Sequence, residues 1–188
     1  MPYLRPATDN PFGALPYGRV LSIAKYRKDA SAGRIYPGDF VILEADGNVA
    51  PATAGALNLL GVAAEGSAAS TADTEVLIYD DPNQLYVVQD DSDTTAMDET
   101  SIGTNADILA TAGDTTTDRS LMEIDSSSAT NATANLAVRS LHPMELDGGR
   151  TGFATAAGQQ RKWIVKINEH IDKVVNATVS GSVGPQGV

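Results

Sequence analysis

Between Tyr36 and Asp90 the chain carries no lysine or arginine and holds four short apolar runs, each bounded by small or turn-forming residues. Phe40-Val41-Ile42-Leu43 is the first. It is too short for an independent helix and rich in β-branched and aromatic residues, with Pro37-Gly38 before it and Asp46-Gly47 after it, which makes it a strand between turns. Asp46-Gly47 tolerates the positive φ of a tight hairpin, so the chain folds back through Asn48 and Val49 until Pro51, which has no amide hydrogen to donate, stops the ladder. Leu59 to Ala64 is a third run, in which Gly61 marks a bulge or a close backbone approach. Glu75 to Tyr79 and Leu85 to Val88 form a hairpin around Asp81-Pro82-Asn83, where proline presets φ and the flanking Asp and Asn bond local amides. Strands at this spacing, with no long helical pattern between them, predict an all-β fold: a small antiparallel β-barrel or sandwich with an extended N-terminal arm.

The arm is expected over residues 1–34, a β-rich domain over 35–175 with an acidic loop at 90–118, and a flexible tail, rich in glycine, over 176–188. Pro2, Pro6, Pro11 and Pro16 punctuate the first eighteen residues, with Tyr3, Phe12 and Tyr17 among them. Proline fixes φ and removes a donor, so this stretch is extended and no central strand. Spaced aromatics suit an extended segment that lies in a groove on something else; the alternative is a disordered tail, a class that is usually poor in aromatics. Arg19 to Tyr26 fits a first strand or a short helix equally well. Ser92 to Thr117 reads as a long loop or a pair of weak strands, Leu121 to Ile124 as a strand, and Ser126 to Asn135 as a polar loop. Leu136 to Leu141 is a strand ended by His142-Pro143, and Asp147-Gly148-Gly149 marks a turn. Trp163 to Asn168 is the last strand, with Trp163, Val165 and Ile167 on one face and Ile164 and Lys166 on the other.

At 188 residues the chain is one domain, or one domain with an arm, and long enough for a sizeable core. It has no cysteine, which removes disulfide, zinc-thiolate and thiol-nucleophile chemistry together. No stretch reaches the roughly 20 apolar residues of a membrane span and no signal-peptide core opens the sequence, so a soluble product made in a cytoplasm, with no membrane partner, is expected. The net charge of −11 argues against a nucleic-acid partner, because phosphate neutralisation needs clustered lysine and arginine. Its distribution is uneven. Arg5, Arg19, Lys25, Arg27, Lys28 and Arg34 lie in the first 34 residues, whereas Ile35 to Asp118 holds sixteen carboxylates and no base. The arm therefore lies on an acidic surface of its own body or of a sister subunit, or reaches for another acidic partner. Tyr3, Arg5, Phe12, Tyr17, Arg19, Lys25, Arg27, Lys28 and Arg34 are the candidate contact residues.

Catalytic and metal patterns are wanting. Placing Asp91 first in a calcium loop puts Ala96 where the turn needs glycine and Ile102 where a bidentate Glu belongs, so Asp90 to Glu99 reads as a solvated acidic loop. Asp80 and Asp81 point to opposite faces of a strand end and serve the turn. His142 and His170, the only histidines, have no HExxH spacing and no cysteine to join. GxSxG, GxGxxG and GxxxxGK are all absent. Asn131-Ala132-Thr133 and Asn176-Ala177-Thr178 match the glycosylation tripeptide, which carries little weight without a secretory signal. No catalytic residue, cofactor or metal is expected.

PGDFVILEADGNVAPATAG, then LLGVAAEGSA, then TEVLIYDDPNQLYVVQDD resembles the head decoration (cement) proteins of tailed bacteriophages. Those proteins carry a small β-barrel with a GD-x-V strand, a GNVAPA-like return and an LGVA strand. WIVKINEH, after VRSLHPMELDGG, is similar to the closing strands of such proteins. The likeness covers Tyr36 to Asp90 and, more loosely, Val138 to His170, and leaves the arm and Ser92 to Asn135 unmatched. The resemblance implies a non-enzymatic virion protein on the outer surface of the expanded capsid. There it would act as a homotrimer that bridges neighbouring major capsid proteins and stabilises the head. It brings no catalytic residues. The residues themselves leave open a surface module that recognises a glycan or a host surface, a metal-assisted enzyme, or another head or tail component.

Overall fold

The computed structural model describes residues 9–68, 73–132, 136–144, 157–158 and 160–172. The chain is almost wholly β. Its strands are β1 (Leu15–Tyr17), β2 (Ala24–Lys28), β3 (Phe40–Leu43), β4 (Val49–Pro51), β5 (Leu59–Ala63), β6 (Thr74–Tyr79), β7 (Leu85–Gln89), β8 (Asn105–Leu109), β9 (Glu123–Thr130), β10 (Val138–Pro143) and β11 (Lys162–Ile167). A 3-10 turn, Glu99–Ser101, precedes β8.

Five strands close a barrel in the order β2-β4-β3-β5-β6, with β2 returning to pair with β6. The β3–β4 hairpin forms as the sequence predicts: Gly47 takes φ +85°, the Asp46 carboxylate accepts from the Asn48 amide, and Pro51 is the last residue of the ladder. Gly61 fulfils both of its expectations. The β3–β5 register slips between Val41 and Ile42, and a Cβ on Gly61 would stand 2.0 Å from the Tyr79 carbonyl oxygen. Only a residue without a side chain fits there.

The other six strands form a sheet in the order β1-β7-β11-β10-β8-β9. It curls on itself, because Asp90 bridges Ile124 of β9 and the Asp91 amide donates to the Ile124 carbonyl. Trp163, Val165 and Ile167 face one large core, which also takes Phe40, Leu59 and Val62 from the barrel and Tyr86 and Val88 from β7. A second cluster, built on Ile35, Val41, Val49, Leu60, Val76 and Ile78, fills the barrel. Barrel and sheet thus share a core.

Three expectations change. Asp81-Pro82-Asn83 does turn the chain, with the Asp81 carboxylate accepting from the Asn83 amide, but β6 and β7 do not pair. The edges of β6 are taken by β2 and β5 and those of β7 by β1 and β11, so the turn carries the chain from barrel to sheet. Ser126 to Thr130, expected in a loop, continues β9. It lies at a sheet edge where hydroxyls suffice: Ser128 Oγ accepts from the Asp107 amide and Ser126 Oγ donates to Asp91. The arm expected over 1–34 is drawn into the body, since β1 is an edge strand of the sheet and β2 a barrel strand. Arg19 to Tyr26 therefore leads into a strand and forms no helix. The turn expected at Asp147-Gly148-Gly149 and the tail from residue 176 lie outside the described residues.

Candidate contact surface

The N-terminal segment lies against the sheet, and two glutamines at the ends of β7 hold it there. Gln89 Oε1 accepts from the Asn10 amide at 3.3 Å, and its Nε2 donates to Asp9 Oδ1 at 3.0 Å. At the other end Gln84, almost fully buried, accepts from the Leu21 amide at 3.0 Å and donates to the Tyr17 carbonyl at 3.4 Å. The Ala14 amide donates to the Gly38 carbonyl at 2.8 Å, and Lys162 Nζ stands 4.8 Å from the centre of the Phe12 ring. Gly13 adopts φ +72°, and a Cβ there would stand 2.4 Å from the Gly38 carbonyl oxygen and from Ser120 Cβ, so the position requires glycine on both counts. Neither glutamine was singled out from the sequence, although both flank the apolar run Leu85 to Val88 symmetrically and offer the signal.

What this segment turns outward is unusual for a soluble surface. Leu15, Tyr17, Val20, Leu21 and Ile23 are each between 41% and 51% exposed and fall within nine residues of one another, interspersed with Pro16, Gly18, Arg19 and Ser22. Single exposed apolar residues are ordinary, but five within so short a segment make it a candidate contact surface. Pro16, in the edge strand, cannot donate a further ladder bond, which discourages open-ended strand addition.

The candidate contact residues divide. Tyr17, Arg19, Lys25 and Arg27 are exposed, and Phe12 and Arg34 are half-buried. Lys28 is fully buried, with Nζ 3.1 Å from the Asp29 carbonyl, so it belongs to the inside of the barrel and not to a contact surface. It shares the inward side of β2 with Tyr26, two residues before it, while Lys25 and Arg27 point out. Tyr3 and Arg5 lie outside the described residues. Three of the bases already meet acids of the body: Lys25 pairs with Glu75 at 3.0 Å, Arg27 with Asp73, and Arg34 with Asp118 at 2.7 Å. The charge asymmetry read from the sequence is thus partly spent within the chain. Arg19 has no ion pair among the described residues.

A cleft of about 490 Å³ opens beside this region, lined by Arg34, Tyr36, Asp39, Pro51, Ala110 and Met122 among others. Its ionisable groups serve the fold. Asp39 Oδ2 accepts from the Tyr36 amide at 2.8 Å, and burial pushes its carboxyl up to about 6. Arg34 stacks over the Tyr36 ring at 4.8 Å. Two further buried acids sit at the far end of β7. Asp90 accepts from Trp163 Nε1 at 2.9 Å and from the Arg161 amide at 2.8 Å, and burial raises it to about 6. Glu123 accepts from Gln89 Nε2 at 2.9 Å and is pushed up to about 7, by burial first and then by Asp9, Asp91 and Asp90. Buried His170, whose Nδ1 accepts from the Asp172 amide, is held low by burial.

Among the described residues no three His, Asp or Glu side chains are placed to hold a metal ion, and no helix is long and apolar enough to cross a membrane. The acidic loop residues serve the fold: Asp91 accepts from the Ser126 amide of β9, and Asp98 caps the 3-10 turn by accepting from the Thr100 amide. Comparison of the chain with protein families, with curated proteins and with solved structures gave no match.

Proposed function

We propose that this chain is a structural virion protein that binds the outer surface of a tailed-phage capsid, cements neighbouring major capsid proteins and associates with copies of itself as a trimer. The observation that carries the reading is the set of exposed apolar residues between Leu15 and Ile23, with exposed Arg19 among them and Lys25 and Arg27 just beyond, on a chain of net charge −11. Such a surface suits a stable contact with an acidic, partly apolar neighbour. The resemblance of Tyr36 to Asp90 to decoration proteins supplies the neighbour's identity. A barrel and a sheet locked by one core suit a mechanical role, and many copies on a lattice gain strength by multiplicity even when each contact is modest.

The test is co-sedimentation with expanded, undecorated heads of the same source, together with the mass in solution. A trimer has three times the 19.6 kDa chain mass, about 59 kDa. The double substitution Arg19→Glu/Leu21→Asp touches only exposed side chains. It is expected to leave the circular dichroism spectrum unchanged and to weaken head binding at least tenfold. A protein that stays monomeric and ignores heads defeats the reading; a clear hit on a glycan array in its place would favour a surface-recognition module.

A further inference from the structure

The fold places two carboxylates of different elements on one amide. Gln89 Nε2 donates both to Glu123 Oε1 of β9, at 2.9 Å, and to Asp9 Oδ1 of the N-terminal segment, at 3.0 Å. Glu123 is only 7% exposed, and the groups packed around it are acidic or neutral: Asp9 from the N-terminal segment, Asp90 and Asp91 from the chain leaving β7, and Leu109 across the strand pair on β8. The nearby cations are committed elsewhere. Arg119 donates to Asn10 Oδ1, Lys162 lies over Phe12, and the Arg161 guanidinium donates to the Gln160 carbonyl and acts on Asp90. No ion pair joins Glu123 to a cation among the described residues.

With a proton on Glu123, one amide satisfies both acids and the segment sits on the sheet. With that proton gone, each carboxylate can still take one N–H of the amide, but two negative charges then face each other across it in a partly dry site, and their repulsion disfavours the seated arrangement. Glu123 is fixed in a strand paired to β8, whereas Asp9 belongs to a stretch, residues 9–14, that pairs with no strand. We propose that the Asp9–Gln89–Glu123 bridge is a pH-operated latch: residues 9–14 lie on the sheet when Glu123 is protonated and lift away, pivoting near the Ala14–Gly38 bond, when it ionises. The direction agrees with the cause of the Glu123 shift, since burial and its acidic neighbours both favour the protonated form. The latch works in the free protein and does not depend on the presence of a capsid.

Hydrogen exchange on the full chain tests it, with rates corrected for the intrinsic pH dependence of exchange. In the wild type, protection of the Asn10 amide is expected to fall at least tenfold between pH 5.5 and 8.5, while the Ala14 amide at the pivot and the amides of β11 stay protected. Glu123→Gln, which cannot ionise, is expected to hold protection constant across that range. Asp9→Asn, at the exposed end of the bridge, gives the same outcome and serves if the Glu123 variant does not fold. Equal protection at both pH values in the wild type, the same fall in both variants, or a parallel loss in β11 would each overturn the latch.

Discussion

Trp163 and Asp90 illustrate how a single polar contact is made costly to lose by its surroundings. The indole is fully buried, and its only polar atom finds a carboxylate that is itself without exposure. In the unfolded chain Asp90 has an ordinary aspartate value, and in the fold burial raises it to about 6. A raised acid binds its proton more tightly in the folded state, so its contribution favours the fold below its ordinary range and fades as pH climbs to about 6. Glu123 acts in the same direction up to about 7. Urea unfolding should therefore show a more stable protein at pH 5 than at pH 8. Trp163→Phe leaves a buried carboxylate oxygen without its donor and a smaller ring in the core, at a cost of about 2–4 kcal/mol. The loss is expected to be greater at pH 8, where the orphaned oxygen carries charge. An equal loss at both pH values would mean that the indole matters for volume alone.

At the scale of the element, two glycines in neighbouring turns and strands separate conformational freedom from space. Gly47 needs its positive φ but faces open solvent, so Gly47→Ala should cost about 1 kcal/mol. Gly61 has no such φ, yet any Cβ would lie 2.0 Å from backbone at Tyr79, which has no rotamer to yield. Gly61→Ala should cost several times more than Gly47→Ala, or prevent the barrel from closing, as thermal unfolding of the two variants will show. Both roles were legible in the sequence, because Asp46-Gly47 sits between apolar runs and Gly61 interrupts one. What local pattern did not disclose was partnership. The turn at Asp81-Pro82-Asn83 looks the same whether its flanking strands pair with each other or depart to different sheets, and that choice is made by β1, β2, β5 and β11, remote in sequence. Ser126 to Thr130 was missed for a related reason: an edge strand need bury little, so its polarity resembles that of a loop. Lys28 looked like a member of a basic arm because charge is read without direction, whereas the alternation along β2 turns it inward.

The molecule as a whole depends on whether barrel and sheet can come apart. Each has its own hydrogen-bonded ladder, and a protein that bridges a lattice under load is weakened by any joint that opens below its global stability. The joint here is filled by ring and aliphatic packing. Phe40 of the barrel meets Tyr86 of the sheet edge-to-face, with centroids 6.4 Å apart and planes at 66°, and the Tyr86 hydroxyl donates to the Tyr79 carbonyl of β6. Both rings are fully buried, with Leu59 and Val62 on one side and Val88, Trp163 and Val165 on the other. A shared core of this kind couples the two ladders, so unfolding is expected to be a single transition. Trp163, the only tryptophan, reports on the sheet, while far-ultraviolet circular dichroism reports on barrel and sheet together. Their midpoints in urea should coincide in the wild type. Phe40→Ala removes the barrel's ring from the joint and should lower stability by about 3–5 kcal/mol. Because that side chain belongs to the barrel, its loss will shift the Trp163 signal by the same amount only if the two ladders unfold as one. A Trp163 midpoint that stays put while the dichroism midpoint falls would show two separable bodies, and would remove the stiffness on which a cementing role relies.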